Sequence, residues 1–209
     1  MGLATFSELK TAITTWALRT GDTEFVASVP DFITLCEART NRILRVREME
    51  TVATLTLASG EVALPADYLA FRDVTALGYD PVRSLQSVSP DYATNEHPYG
   101  GTSGGYPDHF SIAGSTLRTH PSAGTGDIRL RYFAKIPALS DAAPTNWLLT
   151  KAPGVYLYGS LLEAAPFMMD DARAQTWGTF YDKAIADLVS EDHTSRYMRA
   201  QIRKQGATP

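Results

Sequence analysis

The chain has 209 residues, 44% apolar and 20% charged, with 23 acidic against 19 basic side chains and a formal net charge of −4. Such a length makes one large domain or two small ones and buries a sizeable core without staples. The acidity argues against free DNA or RNA as the main partner, because phosphate attraction calls for a basic surface. One cysteine, Cys36, rules out an internal disulfide framework. Residues 1–10 lack the apolar core of a signal peptide, and no window approaches 18 uninterrupted apolar residues. The expectation is a soluble protein made in a cytoplasm, with no membrane partner.

The first element reads as a helix capped by Thr5 or Ser7, with Phe6, Leu9, Ile13, Trp16 and Ala17 on one face and Gly21-Asp22 ending it. A second helix is expected to begin at Pro30, where a missing N–H costs nothing, and to end near Glu48. Its apolar stripe is Phe32, Leu35, Cys36, Ile43 and Val46, with Arg39, Arg42, Arg45 and Arg47 among them. The period then shortens to two. Val52, Leu55 and Leu57 mark a strand, Ser59-Gly60 a turn, and residues 61–64 its return. Residues 73–79 and 82–86 read as further strands, and Ser89-Pro90-Asp91 as a helix start near Tyr92. Residues 97–107 form a Gly-, Pro-, Ser- and Tyr-rich loop. Strands resume at 108–112 and 115–120. Along 127–136, Ile128, Leu130, Tyr132 and Ala134 alternate with Arg129, Arg131, Phe133 and Lys135.

After a connector at 137–146, the period returns to helical. Val155, Leu157, Tyr158, Leu161, Leu162, Ala165 and Met168 make a nearly all-round apolar helix, which implies deep burial, with Pro166 placed to kink it. Asp170-Asp171 interrupts it. A last helix from Ala172 buries Trp177, Tyr181, Ala184, Ile185 and Leu188. From His193 onward the chain is polar and basic, with no acid after Asp192, and is too poor in apolar residues to fold alone. The fold class expected is α+β: a helical bundle from residues 1–49 and 137–192, an inserted antiparallel β-domain at 50–136, and an extended basic arm at 193–209.

Chemistry is thinly represented. His97, His109, His120 and His193 show no metal-ligand spacing, and none neighbours Cys36. Gly100 to Gly105 lacks the Lys-Ser/Thr of a phosphate loop. No nucleophile–base pair is legible, so neither an enzyme nor a cofactor is expected. Asp170 and Asp171 point about 100° apart on a helix and do not share a proton; a cap or first-turn role suits them better. The arginines at 39, 42 and 45 suit an ion-paired protein interface. A basic, sparsely apolar terminus suits a partner-docking arm that orders on binding. A rival reading takes the β-domain as a ligand- or carbohydrate-binding module, with Tyr99, Tyr106 and Phe110 as a stacking platform.

Several stretches resemble, in order and spacing, the head–tail adaptor family of tailed bacteriophages. They are Phe6-Ser7-Glu8-Leu9, Asp31-Phe32-Ile33, Glu37 through Arg45, Met49-Glu50, Leu64 through Leu69, Trp147-Leu148-Leu149, Tyr156 through Ala165, Asp170 through Arg173, and Trp177. The resemblance runs from about residue 6 to about residue 190 and implies a virion protein at the head–tail junction. Such adaptors form a twelve-copy ring under the portal, extend the channel through which genomic DNA passes without sequence-specific binding, and dock a tail or nozzle protein. On that resemblance Arg196, Tyr197, Arg199, Ile202, Arg203 and Lys204 would bind the portal protein. Arg39, Arg42 and Arg45 would meet neighbouring copies. The acidic candidates Asp170, Asp171, Asp182 and Asp187, with Glu163, would help keep the bore repulsive to phosphate.

Overall fold

The computed structural model describes residues 2–78, 82–92, 106–122, 124–169 and 171–197. The chain gathers into two compact units, one from Met1–Glu48 with Ile136–Pro209 and one from Met49–Lys135. The class is α+β, with helices at both ends of the chain and the sheets between them.

In the helical unit, α1 (Phe6–Trp16) starts on a reciprocal cap: the Thr5 hydroxyl accepts from the Glu8 N–H while the Glu8 carboxylate accepts from the Thr5 N–H. Helix α2 (Thr23–Ile43) begins seven residues before the expected Pro30. Asp22 caps it by accepting from the Phe25 N–H at 3.1 Å, and Phe25 and Val29 are buried in its first turns. Burial and the cap outweigh the one hydrogen bond that Pro30 removes from the helix interior. The helix also ends earlier than expected, at Ile43. Leu44 is extended, and the Arg45 guanidinium donates to the Asn41 and Leu44 carbonyls. Two residues of the expected apolar stripe, Leu35 and Ile43, lie on the outer surface instead. Trp16 is likewise half exposed.

The later helices are α3 (Trp147–Lys151), α4 (Pro153–Met168) and α5 (Asp171–Tyr197). Helix α3 was not evident from periodicity; Asn146 nucleates it by accepting from the Leu149 N–H at 2.8 Å. Helix α4 is the bundle's centre: Val155, Tyr156, Leu157, Leu161, Ala164 and Ala165 are all buried, and α1, α2, α3 and α5 each pack on it. Trp177, Tyr181 and Leu188 hold α5 against it. The last helix continues through Tyr197, so residues 193–197 of the expected extended arm are helical. A 27-residue helix anchored upstream by buried aromatics carries its polar end along by continuing its backbone hydrogen bonds.

A buried carboxyl joins three parts of this unit. Glu37, on the inner face of α2, accepts from the Leu139 N–H at 2.8 Å and from the Tyr156 hydroxyl at 3.1 Å. Asn146 donates to the same Tyr156 oxygen at 2.6 Å. Burial pushes the Glu37 carboxyl above its ordinary value of 4.5, with the two hydrogen bonds opposing. Above pH 4.5 the folded state therefore retains a proton that the unfolded chain has released, and stability falls as pH rises toward the raised value. Glu37→Gln keeps an acceptor for both donors and cannot titrate. Its melting temperature is expected to lose this part of the pH dependence and to equal or exceed that of the natural chain at pH 7. A variant that melts lower at pH 7 would contradict the burial argument.

The described residues of the second unit form eight strands: β1 (Glu50–Leu57), β2 (Glu61–Ala63), β3 (Tyr68–Ala76), β4 (Arg83–Ser84), β5 (Gln86–Ser87), β6 (His109–Ala113), β7 (Thr116–His120) and β8 (Gly126–Ala134). They form two four-stranded sheets in the orders β1-β8-β3-β4 and β2-β7-β6-β5. Side chains from both sheets, among them Leu57, Val74, Leu130, Phe110 and Leu117, fill one core. The expected hairpin of residues 52–57 with 61–64 does not form a ladder. Beyond the single bridge of Ala58 to Glu61, the chain crosses at Ser59-Gly60 and β2 pairs with β7. Gly60 has φ +80°, and a Cβ there would strike the Ser122 hydroxyl, so the crossing requires glycine. Strands β5 and β6 run parallel, so the insertion is mixed rather than wholly antiparallel. The helix start expected at Ser89 is present, with the Ser89 hydroxyl accepting from the Tyr92 N–H. The loop expected at 97–107 lies outside the described residues except for its last two positions.

Candidate functional site

The arginine row resolves into three different roles. Arg39 on α2 is ion-paired with Glu163 on α4 at 2.5 Å, tying two helices of one chain together. Arg45 caps the end of α2 through the carbonyls it meets. Arg42 alone of the three is exposed on α2 with no ion pair among the described residues, two turns along the helix from exposed Leu35.

The acidic candidates also separate. Glu163 is committed to Arg39. Asp170 lies outside the described residues, and Asp171 opens α5. Asp182 and Asp187 are exposed on α5. Five residues along a helix is a turn of about 500°, so these two point about 140° apart and cannot line one surface together. Asp192, which was not singled out, is buried and accepts from the Arg47 N–H at 3.2 Å. Beside it Lys151 joins Glu48 at 2.6 Å and Glu191 at 3.3 Å. This cluster carries no motif, whereas Glu37 and Tyr156 each open a stretch of the family resemblance. Only a helical wheel, which places Glu37 beside Ile33, Cys36 and Thr40, could have marked Glu37 as buried.

Arg196 and Tyr197 fall in the last turn of α5, while Arg199, Ile202, Arg203 and Lys204 lie outside the described residues. The platform reading of the β unit loses one of its three aromatics. Phe110 is 1% exposed and packs edge-on against Phe71 with ring centres 5.2 Å apart, because it sits on the core face of β6. Tyr106 is half-buried, and Tyr99 is outside the described residues.

Shallow hollows lie on the described part of the β unit. One of about 370 Å³ is lined by Ser84, Gln86, Asp108 and His109. Another, about 120 Å³, is lined by Pro90, Ser111, Ala113, Thr116, Arg118 and His120. His109 and His120 are cross-strand partners, and His120 Nε2 lies 2.8 Å from the Ser111 hydroxyl. Ser111 is 3% exposed. Among the described residues no group of three or more His, Cys, Asp or Glu side chains could hold a metal. Cys36 is buried beneath α4, and burial pushes its thiol up to about 12, so it is no nucleophile at neutral pH. No described helix is long and apolar enough to cross a membrane.

The chain thus presents exposed charged and apolar helix faces and a basic C-terminal end, the equipment of an assembling protein. A family model described as SU10 adaptor protein matches residues 4–204. No curated protein matches the chain.

Proposed function

As the chain belongs to the SU10 adaptor family of phage head–tail adaptors, we propose that it closes the head–tail junction by forming a ring beneath the portal, twelve copies strong, which extends the DNA channel and docks the next tail component. The coarser role, a structural adaptor of the virion, follows from membership itself. The observation that carries the finer reading is the match across nearly the whole chain, helices and strands alike.

The basic C-terminal end supports portal docking. It carries Arg196, Arg199, Arg203 and Lys204 with no acid after Asp192, and it follows directly on a 27-residue helix that ends at Tyr197. Arg196, Tyr197, Arg199, Ile202, Arg203 and Lys204 are the proposed portal contacts. Exposed Asp182 suits the bore, with Asp170 and Asp171, where negative charge keeps phosphates from sticking as genomic DNA passes without sequence-specific contact. The β unit is the proposed face toward the tail or nozzle protein.

The test mixes the purified chain with the portal ring of the same genome and measures the mass of the complex. Removing residues 198–209 leaves α1 to α5 intact. It is expected to preserve the thermal melt while weakening portal binding by about tenfold or more, an effect that shrinks as salt rises. A truncated chain that assembles normally would end the docking role of the arm. A folded full-length chain that forms no complex would end the ring reading.

A further inference from the structure

Two outer helix faces of the helical unit match each other in spacing and oppose each other in charge. On α2, Leu35 is 51% exposed and Arg42 follows seven residues later. On α5, Phe180 is 44% exposed and Asp187 follows seven residues later. Seven residues are two turns, about 10.5 Å along the axis, and bring the side chain back to nearly the same bearing. Each face therefore carries a large apolar residue and a charge at the same separation, with exposed Lys183 between Phe180 and Asp187 on the second. Among the described residues neither Arg42 nor Asp187 has an ion pair within its own chain.

The two faces cannot meet inside one chain. Thr40 and Tyr181, whose hydroxyls are 3.0 Å apart, mark the sides that α2 and α5 turn toward each other. Arg42 lies two residues past Thr40, about 200° around α2, and so points away from its own α5. Phe180 is also held in place: its ring lies 5.2 Å from that of Tyr158, which in turn lies 6.0 Å from Trp16. An anchored aromatic is ordered before it binds, which lowers the entropy cost of association.

We propose that neighbouring copies meet by laying Leu35 and Arg42 of α2 against Phe180 and Asp187 of the adjoining copy's α5, with the helices parallel and Arg42 paired to Asp187 across the contact. The proposal rests on the ring reading and supplies its contact surface. The two faces lie on different helices and different bearings, so the contact is heterologous, the kind that closes into rings. It assigns Asp187 to the subunit contact and leaves Asp182, on another bearing of α5, to the bore.

The test assembles the full chain on the portal ring and counts bound copies by mass. Arg42→Glu and Asp187→Arg are each expected to lose the complete ring, and the double variant, with the charges exchanged, to regain it. A melt of each free chain checks folding. A second readout does not depend on loss: Arg42→Cys with Asp187→Cys, in a Cys36→Ala background, is expected to yield portal-dependent multimers with a short bismaleimide. Single swaps that assemble like the natural chain would overturn this interface while leaving the ring reading standing. Loss in both singles without rescue in the double, or cross-linking that gives monomers only, would overturn the Arg42–Asp187 pairing. A natural chain that forms no ring on the portal would overturn the ring reading and this contact together.

Discussion

Leu161→Asp is expected to abolish the cooperative thermal transition of the helical unit. Leu161 is fully buried on α4, the helix on which the other four pack. Truncating a buried leucine alone costs about 2–5 kcal/mol through lost contacts and the cavity left behind. An aspartate there adds the burial of a carboxyl with no charged partner, on the order of several kcal/mol more, or forces the helix to turn outward. Against a typical domain stability of about 5–15 kcal/mol, the sum leaves little or nothing. Circular dichroism on heating is the measurement. A sigmoidal melt within a few degrees of the natural chain would show that α4 is not the centre of this bundle.

Gly159→Ala is expected to destabilise despite alanine's better helix propensity, worth about 1 kcal/mol. A Cβ at Gly159 would lie 2.4 Å from Cys36 Sγ and 3.0 Å from two ring carbons of Tyr181. The glycine is thus the opening through which α2, α4 and α5 come together. Overpacking of this kind costs about 1–3 kcal/mol, so the net loss is expected to lower the melting temperature by about 2–6 °C in a chain of this size. Cys36→Ala removes the sulfur that the new methyl meets. The double variant Cys36→Ala with Gly159→Ala is therefore expected to recover part of the loss, a coupling that a double-mutant cycle measures directly. Strict additivity of the two changes would place the strain elsewhere.

Much of the architecture was legible where one physical signal dominated. The two-residue alternation of Ile128, Leu130 and Tyr132 against Arg129 and Arg131 fixed β8 and its buried face. The nearly all-round apolar pattern of 155–168 correctly implied a deeply buried helix. The readings that failed are those in which two signals competed. Pro30 looked like a helix start, but Asp22 offered a cap and Phe25 and Val29 offered burial upstream. Ser59-Gly60 looked like a hairpin, but a positive-φ glycine serves equally to send a chain across to a second sheet, and pairing partners as distant as Glu61 and Arg118 leave no local trace. Among the functional candidates, the arginine row was visible as a row; its division into an ion pair, a cap and a free charge depends on Glu163 and on where α2 ends, neither of which periodicity reports.

The strands that begin and end the β unit are hydrogen-bonded neighbours. Strand β1 pairs with β8 from Glu50 opposite Phe133 to Leu57 opposite Gly126. The chain thus leaves the helices and comes back to them about one strand spacing apart, roughly 4.8 Å. On its return, Ile136 hydrogen-bonds Asn41 and Leu139 hydrogen-bonds Glu37, both on the helix most recently left. Whatever lies between those two points is invisible to the bundle's connectivity: a two-residue turn or an eighty-residue domain bridges the same gap. In a genome that recombines, that geometry makes the insertion an exchangeable cassette. One contiguous stretch of gene can be swapped there with the helices on either side inherited unchanged.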